Sequence, residues 1–144
     1  MTAPELRLTR VVNGSVDDVF KAWTDPAILS KWWGPGDYTT PEVQLDVRPG
    51  GAYRLVMQSP EGRSMAVTGT YFDVEPPHRL VFTWRWEVGG PPDATESVVT
   101  VELSALGDQT ELVLTHAGFP DAAAAAPYSD GWEAALPKLE ALFA

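Results

Sequence analysis

The residues of this 144-residue chain that could do chemistry are two histidines, four tyrosines and six tryptophans, and no cysteine accompanies them. His116 follows Leu112 and Leu114 at alternate positions, so on a strand it shares their inward face. A histidine in that setting is either a satisfied polar group at the rim of a core or a polar anchor or acid–base group inside a pocket. Tyr53 and Tyr71 take inward phases of their own strands, with Met57 beside them as a soft filler. Tyr128 could reach a pocket mouth from the approach to a helix. His78 follows Pro76-Pro77 in a turn and reads as solvated. With no thiolate and no clustered His/carboxylate spacing, no metal site is expected. Walker A, dinucleotide, HExxH and nucleophile-elbow motifs are all missing, so no cofactor is implied. His116 is the single candidate for a catalytic role.

The tryptophans divide by position. Core packing accounts for Trp23 and Trp32 on short helices, whereas Trp33 immediately precedes the breaker Gly34-Pro35-Gly36 and faces elsewhere. Trp84 and Trp86 share a strand face with Phe82 and narrow any cavity there, acting as scaffold and wall at once. Trp132, one turn before Leu136, should point at the sheet from a closing helix. The residues expected to meet a ligand are therefore Trp33, Tyr53, Met57, Tyr71, Phe82, Trp84, Trp86, His116, Trp132 and Leu136. Asp46 and Arg48, two apart, leave one outer face as an exposed ion pair worth about 0–1 kcal/mol; Arg54 and Arg85 also fall on outer phases.

The elements that must position these side chains are legible in the periodicity. Glu5 to Val12 alternates as a strand, and Asn13-Gly14 breaks it. Ser15 stands three residues before Asp18 as an N-cap, and Val16, Val19, Phe20 and Trp23 mark one helical face. Asp25-Pro26 restarts a second short helix, with Asp25 as its cap and Pro26 at its first position. From Pro41 the period becomes two. Val43/Leu45/Val47, Tyr53/Leu55/Met57, Leu80/Phe82/Trp84/Trp86, Val99/Val101/Leu103 and Leu112/Leu114/His116 are inward sets separated by short turns, with Gly89-Gly90-Pro91-Pro92-Asp93 as a wide polar tip. The run from Ser64 to Val74 mixes two phases, Val67/Gly69/Tyr71 against Phe72/Val74, which a bulge near Gly69 would reconcile. Asp121 to Ala144 closes the chain as a helix, with Trp132, Leu136, Leu139 and Phe143 on one face and the alanine run 122–126 as its lead-in. Gly131 and Pro137 are anomalies in it; Pro137 removes the hydrogen bond to the Glu133 carbonyl and should bend the helix.

Composition sets the class. Length fits one domain over residues 1–144, and 44% hydrophobic residues suffice for a single core. Ten Lys/Arg against twenty Asp/Glu leave a formal charge of −10, which repels phosphate backbones and anionic lipid heads, so neither nucleic-acid nor membrane-surface binding is expected. The opening residues lack the apolar stretch of a signal peptide, and no run approaches ~20 apolar residues, so a cytoplasmic protein without membrane insertion is expected. The fold is expected to be α+β: a seven-stranded curved antiparallel sheet wrapped around one long C-terminal helix, with two short helices between strands 1 and 2. A curved sheet and a straight helix seldom fill all the space between them, and the residual volume is an apolar cavity.

In order along the chain stand Trp23-x-x-Pro26, Trp32-Trp33-x-Pro35, Asp46-x-Arg48-x-Gly50-Gly51-x-Tyr53, Gly69-x-Tyr71, Glu75-Pro76-Pro77, Leu80-x-Phe82-x-Trp84, and Gly131-Trp132 before Leu136 and Leu139. This ordered set resembles the single-domain proteins related to the C-terminal domain of the activator of the 90-kDa heat-shock protein's ATPase. Those belong to the helix-grip superfamily of START domains, Bet v allergens and aromatic polyketide cyclases. The resemblance spans residues 5 to 143 and implies that fold and a cavity, while members differ widely in ligand.

Three functions are compatible with these features. The first is binding of a small, largely hydrophobic molecule in the cavity. The second is an enzyme of cyclase, dehydratase or hydrolase type on the same cavity, with His116 as acid–base residue. The third, by family analogy, is a stress-related co-chaperone regulator. Binding ranks first, and the oligomeric state, monomer or homodimer, stays open.

Overall fold

A computed structural model describes residues 4–90 and 95–144; the Pro91-Pro92-Asp93 part of the expected polar tip lies outside them. The elements run β1 (Glu5–Val12), α1 (Val16–Thr24), α2 (Pro26–Leu29), β2 (Thr39–Leu45), β3 (Ala52–Gln58), β4 (Ser64–Glu75), β5 (Arg79–Val88), β6 (Ser97–Leu106), β7 (Gln109–Ala117) and α3 (Ala122–Ala141). The strands form one curved antiparallel sheet in the order β1-β7-β6-β5-β4-β3-β2. Strands β2 to β7 are thus a simple meander, and β1 adds to its far side by pairing with β7 from Glu5↔Ala117 to Val12↔Thr110.

Local chemistry sets the helix starts. The Ser15 hydroxyl accepts from the Asp18 amide, and the Asp25 carboxylate accepts from the Ala27 and Ile28 amides, so each cap satisfies donors that the first turn leaves free. The second helix proper stops at Leu29, and a turn carries the chain on to Trp33. At the other end Asp121 caps α3 through the Ala124 amide. That helix runs through two interior prolines, Pro127 as well as Pro137, and ends at Ala141, three residues short of the expected end. It lies across the concave face with Trp132, Leu136 and Leu139 buried, while Phe143, just beyond its end, packs over Gly14. Arg10 of β1 meets Glu133 and Glu140 of α3, and Lys138 donates to the Gly36 carbonyl at 2.9 Å, tying the helix to the loop after α2.

Strand β4 corrects the sequence reading in one detail. The phase change lies at Phe72, which is extra between the pairs Tyr71↔Phe82 and Asp73↔Val81, and a second irregularity sits at the pairs Ala66↔Val88 and Val67↔Trp86. Phe72 is therefore turned out to solvent, and Gly69 itself stays in register. Gly69 has a different task. It faces Tyr53 across β3–β4, and the Tyr53 ring lies over it so that the phenol donates to the Thr83 carbonyl. A Cβ on Gly69 would stand 2.1 Å from that carbonyl oxygen and 2.5 Å from the Tyr53 ring. Gly69→Ala should therefore lower the unfolding free energy by about 1–3 kcal/mol, the usual cost of overpacking. Urea denaturation checks this, and an unchanged midpoint would show that both the Tyr53 ring and the β5 backbone at Thr83 give way freely.

Candidate functional site

Between the sheet and the first half of α3 lies a cavity of about 380 Å³. Met57 of β3, Met65 of β4, and Trp84 and Trp86 of β5 form its sheet wall. Trp33, Gly34 and Pro35, from the loop after α2, close one side, and Gly89-Gly90 at the end of β5 another. On α3, Pro127, Gly131 and Ala135 recur every four residues and so share one face, flanked by Tyr128 and Trp132. Among the described residues, no charged side chain lines the cavity.

Tryptophan geometry shapes this wall. Trp33 stacks on Trp84 with ring centroids 5.6 Å apart and planes 24° from parallel, while Trp132 meets Trp33 edge-on at 5.5 Å and Trp84 at 5.7 Å. The indole N–H groups of Trp23, Trp33 and Trp84 are buried without a hydrogen-bond partner among the described residues. Trp23 and Trp32, edge-on at 4.7 Å, are core, and the Trp32 N–H donates to the Ala22 carbonyl at 2.9 Å.

Of the ten residues expected at a ligand, five line the cavity: Trp33, Met57, Trp84, Trp86 and Trp132. The other five are elsewhere. Tyr53, Tyr71 and Phe82 form their own aromatic group, centroids 5.5–6.1 Å apart, and burial pushes both tyrosine hydroxyls up. Leu136 is wholly buried in the core. His116 is also wholly buried, behind the wall rather than on it. Its Nδ1 accepts from the Trp132 indole N–H at 3.0 Å, so the ring proton is on Nε2, 2.7 Å from the Ser97 hydroxyl oxygen that accepts it. Burial lowers its pKa to about 3. An imidazole with both nitrogens engaged and no contact with the cavity has no proton to exchange with a substrate, which corrects the acid–base role considered for it.

Sequence reasoning left Met65, Tyr128 and the small residues out of the set. Met65 sits at the start of β4, where the mixed phase hid its direction, and glycines carry no signal for which volume they leave open. Tyr128 is the polar member of the wall: its oxygen accepts from the Trp86 N–H at 2.9 Å. A wider, more open depression of about 520 Å³ lies on the outer face, around Arg54, Thr68, Arg85 and Glu96, and its charged side chains are ion-paired: Arg54 with Glu42 and Glu87, and Arg85 with Glu96. Among the described residues no three His, Asp or Glu side chains gather as a metal site requires, and no helix is long and apolar enough to cross a membrane.

A curved seven-stranded antiparallel sheet gripping one C-terminal helix over an internal cavity defines a helix-grip protein. Within that class the chain belongs to the family of Activator of Hsp90 ATPase homolog 1-like proteins, whose model matches residues 13–144. Solved structures agree. Protein CV1439 from Chromobacterium violaceum is 30% identical, with 96% of each chain covered and a TM-score of 0.86. The AHSA1 protein SPO3351 from Silicibacter pomeroyi is 30% identical over 96% of each chain, with a TM-score of 0.83. CalU16 from Micromonospora echinospora is 27% identical over 97% of this chain and 76% of its own, with a TM-score of 0.72. A comparison with curated proteins finds no match.

The state of His116 has a measurable consequence. The unfolded chain takes up a proton at this residue near its ordinary value of 6.5, the folded chain only near 3. Below pH 6.5 the unfolded state therefore binds more protons, and stability falls as pH drops toward 3, at up to about 1.4 kcal/mol per pH unit. Above pH 6.5 the contribution is complete. His116→Gln removes this component, so its stability should fall less steeply than the wild type's between pH 6 and 4.5, all carboxylates being common to both. Parallel slopes in urea titrations would contradict the neutral, doubly bonded imidazole.

Proposed function

We propose that the protein binds a small, largely hydrophobic molecule in the cavity between the sheet and α3. The carrying observation is the cavity itself: about 380 Å³ lined, among the described residues, by tryptophan, methionine, tyrosine, proline and small residues with no charged side chain. That volume lies within the range of small-molecule sites, and such walls favour apolar and aromatic groups through buried area and ring contacts. Family membership is compatible with this reading. An enzymatic use of the same cavity lacks its acid–base group, because His116 is engaged between Trp132 and Ser97.

Binding of the neutral fluorescent probe N-phenyl-1-naphthylamine tests the proposal. The expected outcome is saturable one-to-one binding with a dissociation constant on the order of micromolar. Met57→Trp, which places a larger ring on the cavity wall, should weaken it by about tenfold or more while the melting transition remains cooperative. Probe fluorescence that never saturates, or that Met57→Trp leaves unchanged, would overturn the proposal.

A further inference from the structure

The polar groups of the cavity wall are few, and nearly all of them are engaged. The Trp132 N–H is used by His116 and the Trp86 N–H by Tyr128, while those of Trp33 and Trp84 are buried out of reach of a ligand. The Tyr128 hydroxyl differs. Its oxygen accepts from Trp86, yet among the described residues its own proton has no acceptor. Tyr128 and Trp86 both line the cavity, so the hydroxyl that joins them belongs to its wall. Burial raises the phenol's pKa, and the group remains a donor through the neutral range. Among the described residues, the wall thus offers one free donor within reach of a ligand, no free conventional acceptor on a side chain, and no charge. An ionised ligand would be buried without a counter-charge, at a cost that neutral molecules avoid.

The shape of the wall narrows the class further. Trp33 and Trp84 present near-parallel rings, and Trp86 stands edge-on to Trp84 at 5.4 Å and 78°. Around them Gly34, Gly89, Gly90 and Gly131 leave bare backbone at the cavity. Gly131 is the telling one. It sits inside α3, where glycine is less favourable than alanine, and a Cβ placed on it would meet nothing within 4 Å. Packing therefore does not require a glycine there; what its missing side chain leaves open is the cavity.

Resting on the binding reading above, we propose that the cavity selects an uncharged, flat, conjugated molecule bearing a hydrogen-bond acceptor, that the Tyr128 hydroxyl donates to this acceptor, and that Gly131 sets the depth available to the ligand. Flat rings meet the indoles in offset or edge-on contacts that a flexible alkyl chain cannot match. Acceptor recognition by Tyr128 separates this class from hydrocarbons of the same shape.

The test is displacement of N-phenyl-1-naphthylamine by four probes: 2-acetylnaphthalene, 2-ethylnaphthalene, decan-2-one and 2-naphthoate. With the wild type, 2-acetylnaphthalene should compete best, and decan-2-one and 2-naphthoate should be weaker by about tenfold or more. Tyr128→Phe should cost 2-acetylnaphthalene about 3–10-fold, the worth of one neutral hydrogen bond, and leave 2-ethylnaphthalene unchanged. Gly131→Leu should weaken both naphthalenes by about tenfold or more, while Gly131→Ala raises the melting temperature by about 2–4 °C. Equal losses for both naphthalenes in Tyr128→Phe, competition by decan-2-one or 2-naphthoate as strong as by 2-acetylnaphthalene, or full binding by Gly131→Leu would each overturn the selectivity while leaving apolar binding intact. Failure of N-phenyl-1-naphthylamine itself to bind the wild type would instead overturn the binding reading, and this inference with it.

Discussion

A buried, uncharged imidazole joins the closing helix to the sheet. Trp132 of α3 donates to Nδ1 of His116 on β7, and Nε2 donates in turn to Ser97 on β6. Each polar atom in the bridge would be costly to bury alone, and together they satisfy one another. The bridge ties α3 to β6 and β7 at Trp132. Trp132 is thereby held against Trp33 and Trp84, and the next turn places Leu136 and Leu139 in the core. The cavity's aromatic wall is a consequence of where this bridge puts the helix.

A single 20-residue helix has to cover the concave side of seven strands, and it cannot fill that side evenly. At the α1–α2 end Trp23, Trp32 and Leu29 occupy the space with no exposure beyond 2%. At the other end α3 presents Pro127, Gly131 and Ala135, whose side chains are too short to reach the sheet, and the gap remains open between them and β5. Lys138 draws the Gly34–Tyr38 loop up to the helix, so the same loop that supplies Trp33 bounds the opening. Fold and cavity are two results of one mismatch in size.

Alternation made the strands readable, and with them Met57, Trp84 and Trp86, since each inward residue on β3 and β5 is fixed by its neighbours two positions away. Trp132 was legible in the same way from the helical period. The reading lost accuracy where an inward position leads to more than one surrounding. Tyr53, Phe82 and His116 are all on the concave face, yet Tyr53 crosses Gly69 to the Thr83 carbonyl and His116 is sealed behind Trp132. Inwardness is a property of the strand; whether an inward side chain meets a cavity or a neighbour depends on what the opposite layer places above it. Phe72 shows the complementary limit, because the mixed phase of Ser64 to Val74 signals an extra residue in β4 without saying which residue it is.

The sequence alone determined the element order, the helix caps at Ser15 and Asp25, the meander from β2 to β7, and the ordered motifs that mark the family. These are local matters: caps, turns and period-two patterns involve residues a few positions apart, and their physics is complete within one segment. Only the tertiary structure decided that β1 pairs with β7, that His116 is a structural bridge between Ser97 and Trp132, and that Gly131 faces empty space. Each of these joins segments separated by many residues, or concerns the volume left between two layers, and no spacing along the chain encodes a distance across a core.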